Sequence, residues 1–230
     1  MNIEEVYNKV ENFLIQFDNI SLPRGGMTLD DLNELYALII KNHYKTNHNT
    51  DKIRIADVGC WTGLSSIFFG SIAKENNGKC WSIDWFKGSE NSNLDFYGKY
   101  MDIRKINEDN IKRFELDNHL TIVNKTSVDA TKDFVDNFFD VVFIDADHRY
   151  EYIKEDINIW LPKVKDVGII CGHDCEFIYR NGMQDLFEHY KNHDMVEVLH
   201  LGVIRAVSEL ANTKKTETGS IWYRAKWQKN

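Results

Sequence analysis

The sequence predicts an α/β fold in which helices cover both faces of a doubly wound, mostly parallel sheet. From residue 53 onward, short apolar runs alternate with segments of helical periodicity, as in a parallel sheet with crossover helices. The run at 140–144 is apolar almost throughout, which is typical of a strand buried on both faces. The run at 53–58 ends in a glycine turn, as expected where such a fold passes from its first strand to a helix.

A helical leader of residues 1–50 is expected to precede the sheet domain, which we assign to residues 51–230. Apolar residues at three- and four-residue steps predict a first helix over 3–17. Thr28 and Asp31 have the spacing of a capping box and predict the start of a second helix.

Within the domain, strands and helices are expected to alternate. The sequence predicts strands at 53–58, 80–85, 120–123, 140–144 and 168–171. It predicts helices at 64–74, 103–114, 148–164 and 183–190. Two closing strands, around 195–207 and 220–225, would complete a seven-stranded sheet with an antiparallel hairpin at one edge. The polar segment 86–118 is either a lid over a ligand or an outer helix packed on the core.

Composition narrows the class of protein. The 230 residues carry a net charge of −8, which disfavours nucleic-acid and anionic-membrane partners. No apolar run reaches the roughly 18–20 residues that a membrane span needs, and the N-terminus does not resemble a signal peptide. The cysteines show no CxxC spacing, so we expect reduced thiols in a cytoplasmic protein rather than a zinc site. They are Cys60, Cys80, Cys171 and Cys175.

Ligands of such a fold bind beyond the carboxyl ends of the strands. After the first strand, Gly59 and Gly63 form either a ligand loop or a plain turn, and their spacing does not match the GxGxxG of dinucleotide-binding proteins. Asp84, after the second strand, is placed to accept both hydroxyls of a ribose. The segment 126–128, after the third strand, can contact a purine edge or cap the next helix.

A second group of polar residues follows the fourth and fifth strands. Asp145 and His148 follow the fourth strand, and His173 and Asp174 follow the fifth. Because the ends of neighbouring parallel strands lie side by side, Asp145, His173 and Asp174 could converge. Carboxylates with one imidazole suit Mg²⁺, Mn²⁺ or Fe²⁺. The alternative is that these are separate capping residues, with Asp147 capping the next helix.

Taken together, these motifs resemble class I S-adenosylmethionine-dependent methyltransferases. The resemblance is carried by DVGCWTG at 57–63, Asp84, FIDADHRYEYIKEDI at 143–157 and GIICGHD at 168–174. It is closer to the metal-dependent O-methyltransferases of the catechol, caffeoyl-CoA and macrocin types, and it runs from about residue 53 to residue 210.

The resemblance implies a Rossmann-like methyltransferase fold, S-adenosylmethionine as cofactor and a divalent cation, with Mg²⁺ as the expected ion. The implied cofactor contacts are Asp57, Gly59, Cys60 and Gly63 beside the methionine, Asp84 at the ribose, and Thr126, Ser127 and Val128 beside the adenine. The implied metal ligands are Asp145, His173 and Asp174. His148, together with Asp145, would serve in catalysis as the group that accepts the proton of the acceptor. At His173 the family more often carries a carboxylate.

The implied activity is methyl transfer to a hydroxyl of a small molecule such as a sugar, a glycoside or a phenol. Self-association into a homo-oligomer is left open. Two other classes compete with this interpretation: a non-catalytic module that binds S-adenosylmethionine or a nucleotide, and an NAD-dependent oxidoreductase. The absent GxGxxG argues against the oxidoreductase. The acidic net charge argues against a nucleic-acid methyltransferase.

Overall fold

A computed structural model describes residues 1–15, 26–46, 52–89, 93–179 and 182–226. They form a seven-stranded sheet in the order β3-β2-β1-β4-β5-β7-β6. The strands are β1 Arg54–Val58, β2 Lys79–Asp84, β3 Leu120–Asn124, β4 Phe139–Ile144, β5 Val164–Gly172, β6 Lys214–Lys215 and β7 Trp222–Ala225. The first five strands are parallel, and β7 is antiparallel to both β5 and β6. The predicted doubly wound fold and its antiparallel hairpin at the sheet edge are therefore confirmed.

Helices lie on both faces of this sheet. They are α1 Ile3–Ile15, α2 Leu29–Thr46, α3 Leu64–Glu75, α4 Asn93–Tyr100, α5 Ile103–Arg113, α6 Ser127–Ala130, α7 Tyr150–Trp160, α8 Gln184–Tyr190 and α9 Leu201–Glu209. The end of the first predicted helix, at 16–17, lies outside the described residues. Among the described residues, none of the helices combines the length and the apolarity that a bilayer span requires.

Each face of the sheet has its own apolar core. On one face, α1, α2 and α3 cover the strands, with Phe68 and Phe69 fully buried between α3 and the sheet. On the other face, α7 and α9 cover the strands around Trp160 and Phe139. Burying aromatic rings of this size on both faces contributes several kcal/mol each. The carboxyl ends of β1, β2 and β4 border a cavity at one edge of the sheet.

The predicted strand around 195–207 is wrong, because residues 201–209 form α9. Leu201, Ile204 and Val207 recur at three-residue steps and are buried against α7, which suits a helix better than a strand. Gly202 permits this close approach, since a Cβ there would lie 2.5 Å from the backbone nitrogen of Tyr150. The β-branched residues in this segment favour a strand locally, but packing on α7 overrides that preference. The strand that pairs with β7 at the edge is β6 instead.

The segment 86–118 contains α4 and α5. Ile103 and Ile106 of α5 are buried in a small cluster that also contains Trp61, so α5 is an outer helix packed on the core. In α4, Phe96 is 62% exposed and Tyr100 is 74% exposed. Packing on the core therefore does not explain why α4 carries these two exposed aromatic rings.

Candidate active site

The loop between β1 and α3 needs glycine at two positions. Gly59 has φ +91° and Gly63 has φ +105°, both in the left-handed region that side-chain-bearing residues rarely adopt. A Cβ on Gly59 would lie 2.1 Å from the backbone oxygen of Asp145. The glycine therefore lets the β1 loop lie directly against the loop that follows β4.

Asp57 lies beneath this loop and is fully buried. Its Oδ2 accepts hydrogen bonds from the hydroxyls of Ser65 and Ser66, each at 3.1 Å, and from Ser82 at 3.3 Å. Burial raises the pKa of Asp57 to about 7, although the three hydroxyls act in the opposite direction. The carboxyl group thus ties β1 to α3 and β2 from inside the protein.

Asp84 ends β2 and faces the same loop. Its Oδ2 accepts a hydrogen bond from the backbone N–H of Trp61 at 2.8 Å, and its Oδ1 accepts one from Phe86 at 2.7 Å. Burial raises the pKa of Asp84, and the backbone hydrogen bonds partly offset this rise. These backbone hydrogen bonds hold the carboxylate in place at the end of β2.

A cavity of about 400 Å³, here named the strand-end cavity, opens above these residues. Its walls include five predicted cofactor contacts: Gly59, Asp84, Thr126, Ser127 and Val128. The other three, Asp57, Cys60 and Gly63, support the loop and do not line the cavity. Thr126 also caps α6 by accepting a hydrogen bond from the backbone of Asp129 at 3.2 Å, so both predicted roles are compatible at that position. A volume of this size is typical of sites for small ligands.

Asp156 lies at the wall of this cavity and predicts a pH-dependent stability. It is 5% exposed and accepts a hydrogen bond from Ser127. Burial raises its pKa to about 7. From about pH 4 to pH 7, the native state therefore keeps a proton that the unfolded chain loses, and stability falls as the pH rises.

We expect wild type to lose about 2–3 kcal/mol more than Asp156→Asn between pH 5 and pH 8. Urea unfolding at the two pH values measures this difference. Asp129→Asn, which alters an exposed carboxylate, is the control and should keep the wild-type dependence. Parallel pH profiles for wild type and Asp156→Asn would contradict the prediction.

Beside the cavity lies a group that we name the acid–imidazole cluster: Asp145, His148, His173, Asp174 and His200. The predicted metal ligands Asp145, His173 and Asp174 each offer a donor atom within 4.8 Å of the others, and so do His148, Asp174 and His200. Asp145, His173 and Asp174 meet because β4 and β5 are parallel neighbours, with Ile144 paired to Gly172. The predicted convergence of the two strand ends is present in the structure.

Asp174 is at the centre of the cluster and has φ +61°. Its Oδ1 lies 2.8 Å from Nδ1 of His173 and 3.3 Å from Nδ1 of His200. Its Oδ2 lies 3.0 Å from Nε2 of His148. One carboxylate therefore contacts three imidazoles, and a backbone conformation that is uncommon for aspartate holds it there.

Sequence reasoning did not find the outer carboxylates of the cluster. Asp194 lies 3.0 Å from Nδ1 of His148, and Glu176 lies 2.7 Å from Nδ1 of His200. Asp31 of α2 lies 3.4 Å from Nε2 of His173. The capping-box spacing predicted that Thr28 and Asp31 pair, and the two residues do form hydrogen bonds with each other. Nothing in that spacing indicated that Asp31 also contacts His173. Asp147, the predicted helix cap, instead pairs with Arg149 at 2.7 Å.

The charges of the cluster depend on these contacts. Burial acts to lower the pKa values of His148 and His173, but Asp174 and the other carboxylates raise both well above the usual range. The two imidazoles in turn hold the pKa of Asp174 well below its usual range despite its burial. Without a cation, these contacts therefore favour the imidazolium forms of His148 and His173 and the carboxylate form of Asp174. A cation would compete with these protons for the same nitrogens.

The cluster also contains ring nitrogens without hydrogen bonds. Nε2 of His148 and both ring nitrogens of His173 are buried, and no acceptor among the described residues meets them in hydrogen-bond geometry. Carboxylate oxygens nevertheless lie within 3.5 Å of each. Buried polar atoms are normally satisfied, so this arrangement of nitrogen and oxygen donors fits a cation.

Comparisons with known proteins give the family. A family described as "Methyltransferase domain" matches residues 56–175, just over half of the chain. An uncharacterized protein of Sinorhizobium fredii, y4gI, is 28% identical over 131 residues. That match covers 54% of this chain and 13% of the y4gI protein, so the chain spans a small part of that relative's length.

Solved structures share the fold at low sequence identity. A candidate caffeoyl-CoA O-methyltransferase from Staphylococcus aureus has 16% identity and a TM-score of 0.61, over 97% of this chain and 90% of that one. CalS11, a TDP-rhamnose 3'-O-methyltransferase, has 11% identity and a TM-score of 0.54, over 99% and 93%. The Podospora anserina methyltransferase PaMTH1, solved with S-adenosylhomocysteine, has 13% identity and a TM-score of 0.51, over 97% and 95%. This chain belongs to the methyltransferase-domain family and has the class I S-adenosylmethionine-dependent methyltransferase fold.

Proposed function

We propose that the protein transfers a methyl group from S-adenosylmethionine to a hydroxyl of a small molecule, with a divalent cation at the acid–imidazole cluster. The observation that carries the proposal is the position of Asp145. It lines the strand-end cavity and also belongs to the cluster. A donor in the cavity would therefore lie beside the groups that can prepare an oxygen for attack.

The cavity offers contacts for each part of S-adenosylmethionine. Asp84 would accept the ribose hydroxyls, residues 126–128 would lie beside the adenine, and the turn at Gly59 would pass close to the methionine part. The cofactor supplies a methyl group on a positively charged sulfur, which is already activated for displacement. The protein then has to align the acceptor oxygen with that methyl group, which gains rate through proximity.

Asp145, His173 and Asp174 would hold the cation. A divalent ion there supplies positive charge that favours ionisation of the acceptor hydroxyl. The acceptors that suit this arrangement are hydroxyls of a sugar, a glycoside or a phenol. A vicinal diol would bind the cation through both of its oxygens. The name of CalS11 describes a sugar acceptor for that protein, and its fold supports the same class here.

His148 would accept the proton of the hydroxyl, because a cation bound by Asp145 and Asp174 would neutralise the carboxylates that keep His148 protonated. Its Nδ1 lies 3.0 Å from Asp194, which would hold the ring and keep a proton on Nδ1. Its Nε2 lies at the cluster, 3.5 Å from Asp145. A histidine oriented by a carboxylate on one nitrogen can accept a proton at the other.

The test is whether variants of the proposed base lose turnover while they still bind the cofactor. We expect His148→Ala to lower the rate of S-adenosylhomocysteine formation by roughly a hundredfold or more, with catechol and nucleotide sugars as acceptors. Asp194→Asn should cause a smaller loss, about tenfold, and shift the pH profile. His193→Ala, which removes the imidazole next to Asp194 in the chain, is the control. Binding of S-adenosylhomocysteine, measured by calorimetry, should be unchanged in all three. Full turnover in His148→Ala would remove the assignment of the base.

A further inference from the structure

The cluster contains more imidazole than its sequence motifs implied. Asp174 contacts three ring nitrogens, from His148, His173 and His200, at 2.8–3.3 Å. Mg²⁺ prefers oxygen ligands and keeps several waters, whereas imidazole suits first-row transition ions. The composition of the cluster is therefore informative about which cation binds.

His173 is the imidazole with the strongest case as a ligand. It is 5% exposed, and the carboxylates beside its two ring nitrogens lie outside good hydrogen-bond geometry. Its Nδ1 edge faces Asp174 at 2.8 Å, and its Nε2 edge faces Asp31 at 3.4 Å. The ring is thus placed between two carboxylates, with Nδ1 on the side of the cluster.

Asp31 is itself firmly held. It is 3% exposed, and its Oδ2 accepts hydrogen bonds from the backbone and the hydroxyl of Thr28, at 2.9 and 2.7 Å. Its Oδ1 accepts one from the backbone of Ser220 at 2.9 Å. A carboxylate that faces the outer nitrogen of a histidine favours the tautomer with its proton on that nitrogen. This leaves the inner nitrogen free to bind a metal.

We propose that the acid–imidazole cluster selects a first-row transition-metal ion over Mg²⁺, with His173 as a nitrogen ligand through Nδ1 and Asp31 as its positioning residue. This proposal rests on the cation site of the proposed function and names the class of ion that it takes. Asp145 and Asp174 provide the oxygen ligands. The selectivity comes from the imidazole of His173, which supplies a nitrogen ligand beside the two carboxylates.

The first experiment compares Co²⁺ with Mg²⁺ by calorimetric titration of the full chain. We expect wild type to bind Co²⁺ roughly a hundredfold more tightly than Mg²⁺, with visible absorption bands typical of nitrogen coordination. His173→Asp replaces the nitrogen by oxygen and should lower this ratio at least about tenfold. Equal affinity of wild type for the two ions, or an unchanged ratio in His173→Asp, would overturn the proposal.

The second experiment separates positioning from folding. Asp31 and Glu34 lie one turn apart on α2, and both hold the turn at 218–220: Glu34 accepts hydrogen bonds from Thr218 at 2.7 and 3.0 Å. Asp31→Asn should weaken Co²⁺ binding about 10–100-fold, as expected for a residue that orients a ligand. Glu34→Gln should leave it unchanged. Equal losses in the two variants would show that Asp31 acts only through the turn and would contradict its positioning role.

Titration of S-adenosylhomocysteine in the same samples separates this proposal from the proposed function. If the metal preference is found and S-adenosylhomocysteine does not bind, the methyltransferase proposal fails and the transition-metal site stands. If S-adenosylhomocysteine binds and the cluster prefers Mg²⁺, the methyltransferase proposal stands and the metal selectivity fails. Thermal unfolding of His173→Asp and Asp31→Asn checks that each variant is folded.

Discussion

Asp84→Asn is expected to weaken the binding of S-adenosylhomocysteine by at least about a hundredfold, which corresponds to about 3 kcal/mol. The carboxylate would accept the ribose hydroxyls, and hydrogen bonds to a charged acceptor contribute roughly 1.5–3 kcal/mol each. It also accepts the backbone hydrogen bonds of Trp61 and Phe86. Asparagine would present an N–H₂ group to one of these N–H donors, so the loop would lose a support as well.

Calorimetric titration with S-adenosylmethionine and S-adenosylhomocysteine, with and without a divalent cation, measures this effect. Asp109→Asn on α5 is a suitable control, because Asp109 is an exposed aspartate paired with Lys105. Binding to Asp84→Asn as tight as to wild type would place the ribose elsewhere. No binding to wild type under any condition would remove the methyltransferase proposal.

Gly59→Ala is expected to destabilise the protein by about 3 kcal/mol or more. Alanine would have to adopt φ +91°, and its Cβ would meet the backbone of Asp145 at 2.1 Å. Since the contact is with backbone, relief requires the ends of β1 and β4 to separate. The shift would displace Asp145, so we also expect the variant to bind both the cofactor and the cation more weakly.

Gly182→Ala is the matched control for backbone strain. Gly182 has φ +95°, but apart from its chain neighbours no heavy atom of the described residues lies within 4 Å of the position that a Cβ would take. It should lose about 1–2 kcal/mol from the left-handed conformation alone. The difference between the two variants, measured by urea unfolding, is the contribution of the contact with Asp145. Equal losses of stability in the two variants would mean that the loops after β1 and β4 move apart without an energetic penalty.

The sequence allowed the sheet and the centre of the cluster to be predicted for physical reasons. Hydrophobic runs defined the parallel strands, and the rule that ligands bind at their carboxyl ends pointed to Asp84, Asp145 and Asp174. Asp31 and His200 could not be found in this way. They belong to an N-terminal helix and to the residue before α9, and tertiary packing alone brings them to the strand ends. The error over α9 has the same origin, since its helical form depends on contacts with α7.

The joining of α2 to the turn at 218–220 has a consequence for biosynthesis. Asp31 and Glu34 are made early, whereas their partners in that turn, and β7 next to β5, are made late. A nascent chain that has just completed β5 holds His173 and Asp174 but lacks His200 and the turn that fixes Asp31. The proposed cation is therefore expected to bind only after residues 200–220 have been made and folded, because only then are both sides of the cluster in place.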